Sequence, residues 1–246
     1  MATNPRNIYF WDLYLPEIIG DPISRLSDPG LKQIKDPLSE KISTNLAFSP
    51  DGTIIAGGVG ATIILWDIRT GLRRKTFINT SKIDPKVNLR THPGTLSEIA
   101  FSPNGNIIAG TDRDSLQIWD VRSNLKLIDL YSNYHSGGIK TLAFSPNGKI
   151  LAVDHRDKID LWDVESVPPT IMITLNAPVE AQNPRTAKMY TTARWRPFAF
   201  SPDSKTFAST AAGKTPSRNF GFPPSTELIK LWDLEQLLAE FPIFNK

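Results

Sequence analysis

One four-residue string sets the terms for this chain. Ala-Phe-Ser-Pro occurs four times, with its Phe at Phe48, Phe101, Phe144 and Phe200. A Trp-Asp pair follows each copy, at Trp66, Trp119, Trp162 and Trp232. Phe and Trp are 18 residues apart in the first three copies and 32 apart in the fourth. The constant spacing marks a rigid module, and the longer one marks the same module with a 14-residue insertion within 211–226. At its plainest, from Phe101 to Phe144, the unit is 43 residues long. A chain built this way stacks equivalent units, each burying its apolar faces against its neighbours.

Within a unit the residues read as short strands. Leu46-Ala47-Phe48-Ser49 is an apolar run stopped by Pro50, and Asp51-Gly52 then offers the positive φ of a tight hairpin. Asn104-Gly105 and Asn147-Gly148 hold the same place, whereas the fourth unit has Asp203-Ser204 and a less certain turn. A second run follows at Ile54-Ile55-Ala56, Ile107-Ile108-Ala109, Ile150-Leu151-Ala152 and Thr206-Phe207-Ala208. A third alternates polar and apolar residues up to the Trp, as in Ile159-Asp160-Leu161-Trp162, which is the strand signature. A fourth, such as 125–130, completes a four-stranded antiparallel unit.

The linked motifs resemble the WD-repeat β-propeller family from Leu46 to Asp233, with a partial copy at Ile8 to Asp12 containing Trp11. The resemblance implies an all-β propeller of about 4–5 four-stranded blades, near the low end of the usual ~4–8. The chain is expected to form one domain over 1–246. A partial blade and linker occupy 1–41, and blades lie at 42–79, 97–134, 139–176 and 196–246. A five-blade ring joining N-terminal and C-terminal strands in one blade is expected; an open stack or closure with another chain are the alternatives. Leu234, Leu237, Leu238 and Phe241 fall on one face of a helix that Asp233 would cap and Pro242 would end.

Members of the family often tie a blade with a tetrad of His, Ser or Thr, Asp and Trp. Carried over, the resemblance implies structural roles for Trp11, Trp66, Trp119, Trp162 and Trp232, for His92 and His135, and for Asp114 and Asp157. The Ser place is held by Gly57, Gly110 and Val153, and only Ser209 matches. No unit has all four members, so the Trp indoles are expected to bond to backbone or water.

Variation is concentrated between the units. Trp and the next Phe are 37, 35, 25 and 38 residues apart, so three connections are long. In a propeller these connections and the insertion in the fourth unit open on one face, the usual place for binding. Lys82, Lys86 and Arg90 outnumber Asp84; Arg185, Lys188 and Arg194 outnumber Glu180; Lys214 and Arg218 stand unopposed in 211–226. These loops total +6 in a chain of net charge +3, which leaves the remainder at −3. Tyr190, Trp195, Arg196, Phe220 and Phe222 add aromatic and guanidinium contacts, the side chains that dominate interaction hot spots. Trp195 and Arg196 adjoin a strand, which leaves a core role open for both. The expected partner is another protein with an acidic surface or peptide. Single-stranded nucleic acid or another polyanion is a minor alternative, and solubility of long loops is the plainer reading of the charge.

Chemistry is thinly supplied. The chain has no cysteine, which removes disulfides, thiolate metal sites and a Cys nucleophile. It has neither a Gly-x-Ser-x-Gly elbow nor a Gly-x-x-x-x-Gly-Lys phosphate loop. His135 and His155 fall near Asp154 and Asp157, where three ligands could hold zinc. The plainer reading pairs His135 with Asp157 and leaves His155 in water. No enzyme activity, cofactor or metal is expected. A regulatory or sensor segment working with a separate enzyme is the alternative function. No apolar run approaches the ~20 residues of a spanning helix. The first ten residues lack a secretory pattern, so the expected compartment is the cytoplasm.

Overall fold

The structure is a computed structural model that describes residues 9–10, 32–34, 42, 46–60, 62–78, 96–112, 115–131, 139–155, 158–176, 198–211 and 228–240. Among the described residues, seventeen strands and one helix follow in chain order. A two-stranded antiparallel pair, β1 (Tyr9–Phe10) and β2 (Lys32–Gln33), comes first. Blade 1 is β3 (Ala47–Phe48), β4 (Ile54–Val59), β5 (Thr62–Asp67) and β6 (Arg73–Ile78). Blade 2 is β7 (Glu98–Phe101), β8 (Ile107–Thr111), β9 (Ser115–Asp120) and β10 (Lys126–Tyr131). Blade 3 is β11 (Ile139–Phe144), β12 (Ile150–His155), β13 (Lys158–Asp163) and β14 (Thr170–Asn176). Blade 4 has β15 (Phe198–Phe200), β16 (Thr206–Ala211) and β17 (Leu228–Asp233), followed by α1 (Leu234–Glu240). Neighbouring strands in each sheet are sequential. The fold is all-β and made of propeller blades.

Among the described residues three sheets are four-stranded, and blade 4 has three strands. The helix follows directly where the fourth strand would otherwise return. Asp233 Oδ1 accepts the Gln236 backbone N–H at 3.0 Å, the cap that the sequence calls for. Leu234 is buried, and Leu237 and Leu238 pack beside it on the junction between blades 3 and 4. The expected joining of N-terminal and C-terminal strands is not seen among the described residues, where β1 pairs with β2 alone.

The repeated Ser-Pro turn has a chemical reason. Each Ser hydroxyl accepts the backbone N–H five residues on, at 3.0 Å in Ile54, Ile107 and Ile150 and 2.8 Å in Thr206. It donates to the acidic or amide side chain two residues on: Ser49 to Asp51, Ser102 to Asn104, Ser145 to Asn147 and Ser201 to Asp203. One hydroxyl thus closes the hairpin and fixes its turn. The next residue takes the left-handed conformation, with φ of 67° at Gly52, 71° at Gly105 and 75° at Gly148. Ser204 adopts the same conformation at φ 61°, so the fourth turn matches the others despite having no glycine. Its hydroxyl accepts the Asn147 N–H of blade 3 at 2.9 Å, a contact that helps hold the strained residue in place.

The Asp of each Trp-Asp pair caps what comes next. Asp67 accepts the Thr70 N–H at 2.8 Å, Asp120 the Ser123 N–H at 2.6 Å and Asp163 the Glu165 N–H at 2.8 Å. The Trp itself packs on the preceding blade. Trp119 joins Ile63, Leu65 and Phe77 of blade 1, with its ring 5.2 Å from that of Phe77. Trp162 joins Leu116 and Ile118 of blade 2, and Trp232 packs against the cluster holding Ile159 and Leu161 of blade 3. Every junction therefore sets the Trp face of one blade on the opposite face of the one before. That receiving face carries a cross-strand alanine pair in every blade: Ala47 with Ala56, Ala100 with Ala109, Ala143 with Ala152 and Ala199 with Ala208. Small residues there leave room for the large side chains of the next unit.

Candidate interaction surface

The two edges of each sheet are built differently. The lower edge carries the Ser-Pro hairpins and the Asp-capped turns. At the upper edge, Val59 pairs with Thr62 and Thr62 with Ile78; Ser115 pairs with Tyr131, Lys158 with Asn176, and Ala211 with Leu228. Adjacent upper edges are tied by the Leu96 N–H, which donates to the Gly60 carbonyl at 2.9 Å. On the lower side Lys75 Nζ of blade 1 donates to the Val121 and Arg122 carbonyls of blade 2.

Beneath the upper edge lies a polar layer. In blade 2, Thr111, Asp112, Ser115 and Gln117 are all buried. Asp112 Oδ1 accepts the Ser115 N–H at 2.6 Å, which closes the hairpin between β8 and β9. In blade 3 the layer is charged. Asp160 is fully enclosed, with Lys158 Nζ 2.8 Å and His155 Nε2 3.0 Å from its Oδ2, and with the Thr174 hydroxyl donating to Oδ1 at 2.7 Å. Burial alone would raise the Asp160 carboxyl. The contacts from His155, Lys158 and Thr174 outweigh it and hold the pKa at about 2. This carboxylate is an anchor that ties three strands together.

His155 is buried, which corrects the expectation that it faces water. The end of the second strand, β12, holds it against Asp160 of the third, a partner that sequence reading missed. The missed signal was the Lys158-Ile159-Asp160 spacing: two opposite charges two residues apart lie on one strand face. Among the described residues no group of three or more His, Asp or Glu side chains could hold a metal ion.

The tetrad residues divide. Trp232 Nε1 donates to Ser209 Oγ at 3.3 Å, in the one unit whose sequence has the hydroxyl. Among the described residues Trp119 Nε1 and Trp162 Nε1 have no acceptor, in units that place Gly110 and Val153 there instead. Gly110 is closely packed: a Cβ on it would stand 2.8 Å from the terminal Cδ1 of Ile63 of blade 1, so a larger residue there requires that side chain to shift. Trp66 is fully buried with Ile34, Ile55 and Ile64. Trp11, His92, His135, Asp114 and Asp157 lie outside the described residues. So do all the expected partner-binding residues: Lys82, Lys86 and Arg90; Arg185, Lys188, Tyr190, Arg194, Trp195 and Arg196; Lys214, Arg218, Phe220 and Phe222.

Comparison with known proteins meets the same units. The family described as "WD domain, G-beta repeat" matches at residues 38–67, 84–120 and 129–163. The Arabidopsis thaliana protein "Pre-mRNA-processing factor 19 homolog 2" is 31% identical over 93 residues, which is 37% of this chain and 15% of the relative. A "Pre-mRNA-processing factor 19" from Oryza sativa subsp. japonica is 27% identical over 106 residues, 42% of this chain and 18% of that protein. "Small ribosomal subunit protein RACK1y" from the same rice is 32% identical over 87 residues, 35% of this chain and 22% of that one. The chain therefore spans less than a quarter of the length of these curated relatives. The hairpins, the capped Trp-Asp strands and the blade-on-blade order agree with these matches, which place WD repeats at three positions over 102 of the 246 residues.

Proposed function

We propose that this chain is a non-enzymatic interaction platform that binds an acidic protein surface or peptide through its upper, loop-rich face. The observation carrying this reading is that the strand ends on either side of 79–95, 177–197 and 212–227 all belong to the upper edge. Those three segments hold Lys82, Lys86, Arg90, Arg185, Lys188, Arg194, Arg196, Lys214 and Arg218. Such a charge excess steers an acidic partner and speeds its docking. Tyr190, Trp195, Phe220 and Phe222 supply the desolvated anchors. The WD-repeat proteins it resembles act as protein-interaction scaffolds, which supports the same class of function. Among the described residues no helix is long and apolar enough to cross a membrane, and we place the platform in the cytoplasm.

The test reverses charge at Lys82, Lys86 and Arg90 together. Affinity capture from the native source identifies a partner of the intact protein, and the complex is then titrated with salt. The triple Glu variant is expected to bind that partner at least tenfold more weakly, with a shallower salt dependence. Equal affinity at low salt overturns the electrostatic reading. Shortening 211–226 weakens binding independently of charge if the anchors act as stated.

A further inference from the structure

The N-terminal pair β1–β2 has the register of the outer half of a blade. Phe10 pairs with Lys32 and Tyr9 with Gln33, as Leu65 pairs with Lys75 and Ile64 with Thr76 in blade 1. Trp11 follows Phe10 as Trp66 follows Leu65. By the same register Ile34 stands where Phe77 stands in blade 1, and it does the same job. Phe77 packs on Trp119 of the next blade, and Ile34 is buried against Trp66, Ile55 and Ile64 of blade 1. The pair therefore forms the third and fourth strands of a blade preceding blade 1. Among the described residues β1 has no neighbour on the side where a second strand would lie.

Two apolar surfaces are left open accordingly. Leu46 is 43% exposed, while its equivalents Ile99 and Leu142 are 5% and 6% exposed under the inner strands of blades 1 and 2. At the other end of the stack, Ile229 and Leu231 are 71% and 70% exposed, although the equivalent pairs in blades 1 to 3 are all buried.

We propose that the half-blade β1–β2 accepts a two-stranded β-hairpin from a partner polypeptide, which pairs with the open edge of β1 and covers Leu46. The internal repeats state its chemistry. On the face toward blade 1 it carries a cross-strand pair of small residues, as Ala47–Ala56, Ala100–Ala109 and Ala143–Ala152 do at the three complete junctions. In a closed ring the completed blade also stands beside Ile229 and Leu231, so its other face is apolar too. Backbone pairing supplies affinity, and the alternating side chains supply selectivity. This surface is separate from the basic rim.

The probe is a synthetic peptide with the sequence of residues 96–112, the inner hairpin of blade 2, added to the full chain. Labelled peptide is expected to bind saturably at one per chain and to protect from hydrogen exchange whichever of the Tyr9 and Phe10 amides points away from β2. Leu46→Glu and Leu231→Glu are each expected to weaken binding at least tenfold, and their native exposure keeps the fold intact. A peptide with Phe at both Ala100 and Ala109 is expected to bind at least tenfold more weakly than the natural one. Absence of saturable binding overturns the proposal, as does equal binding of the two peptides. Protection of Leu46 and of the β1 amide that points away from β2 in the free chain also overturns it, because this chain or a second copy then fills the place. The Lys82, Lys86 and Arg90 charge-reversal variant binds the peptide as the wild type does, so failure of the rim and failure of the half-blade are read separately.

Discussion

Leu161 and Leu231 hold the same place in the repeat, one residue before the Trp, and they meet opposite fates. Leu161 is fully buried under the Trp face of blade 4, and Leu231 is 70% exposed on the outward side of that same blade. Leu65 and Ile118 behave as Leu161 does. Burial in this fold is thus conferred by the neighbouring unit and not by the strand itself. Each blade arrives with one face ready to receive and one ready to insert, and only the interior junctions use both. An end blade keeps the apolar residues of the pattern without the cover that makes them stabilising.

Substitution at equivalent places tests this contrast. The largest gap is expected for Leu161→Ala, which leaves a cavity and costs about 2–5 kcal/mol, against about 0.5 kcal/mol or less for Leu231→Ala. Urea unfolding of the two variants measures it, and similar midpoints break the comparison. Two residues before the Trp, Asp160 lies in blade 3 and Lys230 in blade 4. Asp160→Asn removes the buried carboxylate charge beside Lys158 and His155 and is expected to cost about 3 kcal/mol. Lys230 is half-buried beside the Trp232 ring, at 5.6 Å from its centroid, and Lys230→Ala is expected to cost about 1 kcal/mol or less.

Asp160 also leaves a signature in pH. Its folded pKa is held at about 2, below the 3.8 of an unperturbed aspartate, so the folded state favours the ionised form. The resulting stability is complete above about pH 4 and is lost as pH falls from there toward about 2. Asp51 and Asp203 in the hairpin turns and Asp67 and Asp120 at the strand ends, whose carboxyls are also lowered, act in the same direction. Acid titration of stability is therefore expected to be less steep in Asp160→Asn than in the wild type, and an identical slope contradicts the anchor role.

A smaller gap separates the turn serines. Ser102 is fully buried and Ser201 half-buried, so Ser102→Ala is expected to cost about 1–2 kcal/mol and Ser201→Ala less. Asp233→Ala, which removes the cap of α1, is expected to cost about 1 kcal/mol, seen as lost helical signal and a slightly lower melting point.

Much of this was legible because the repeat states it four times. The Ser-Pro hairpins, the alternating third strand and the Asp233 cap all depend on contacts within a few residues, which local sequence records directly. Ser204 was the exception among the turns. Its left-handed backbone is supported by Asn147, 57 residues away, and nothing at 203–204 announces that partner. His155 was misread because its partner Asp160 lies across a hairpin on the next strand. The contrast between Leu161 and Leu231 was wholly hidden, since both strands carry the same apolar alternation. The basic rim is legible as composition only, because its residues sit in the connections, where no repeat constrains them.

Side-chain oxidation by hydroxyl radicals, read residue by residue in the native chain, tests the central claim most directly. Interior junctions that cover and end faces that do not predict fast labelling of Leu46, Ile229 and Leu231 beside strong protection of Leu65, Ile118 and Leu161. Protection of Leu231 equal to that of Leu161 would contradict the account.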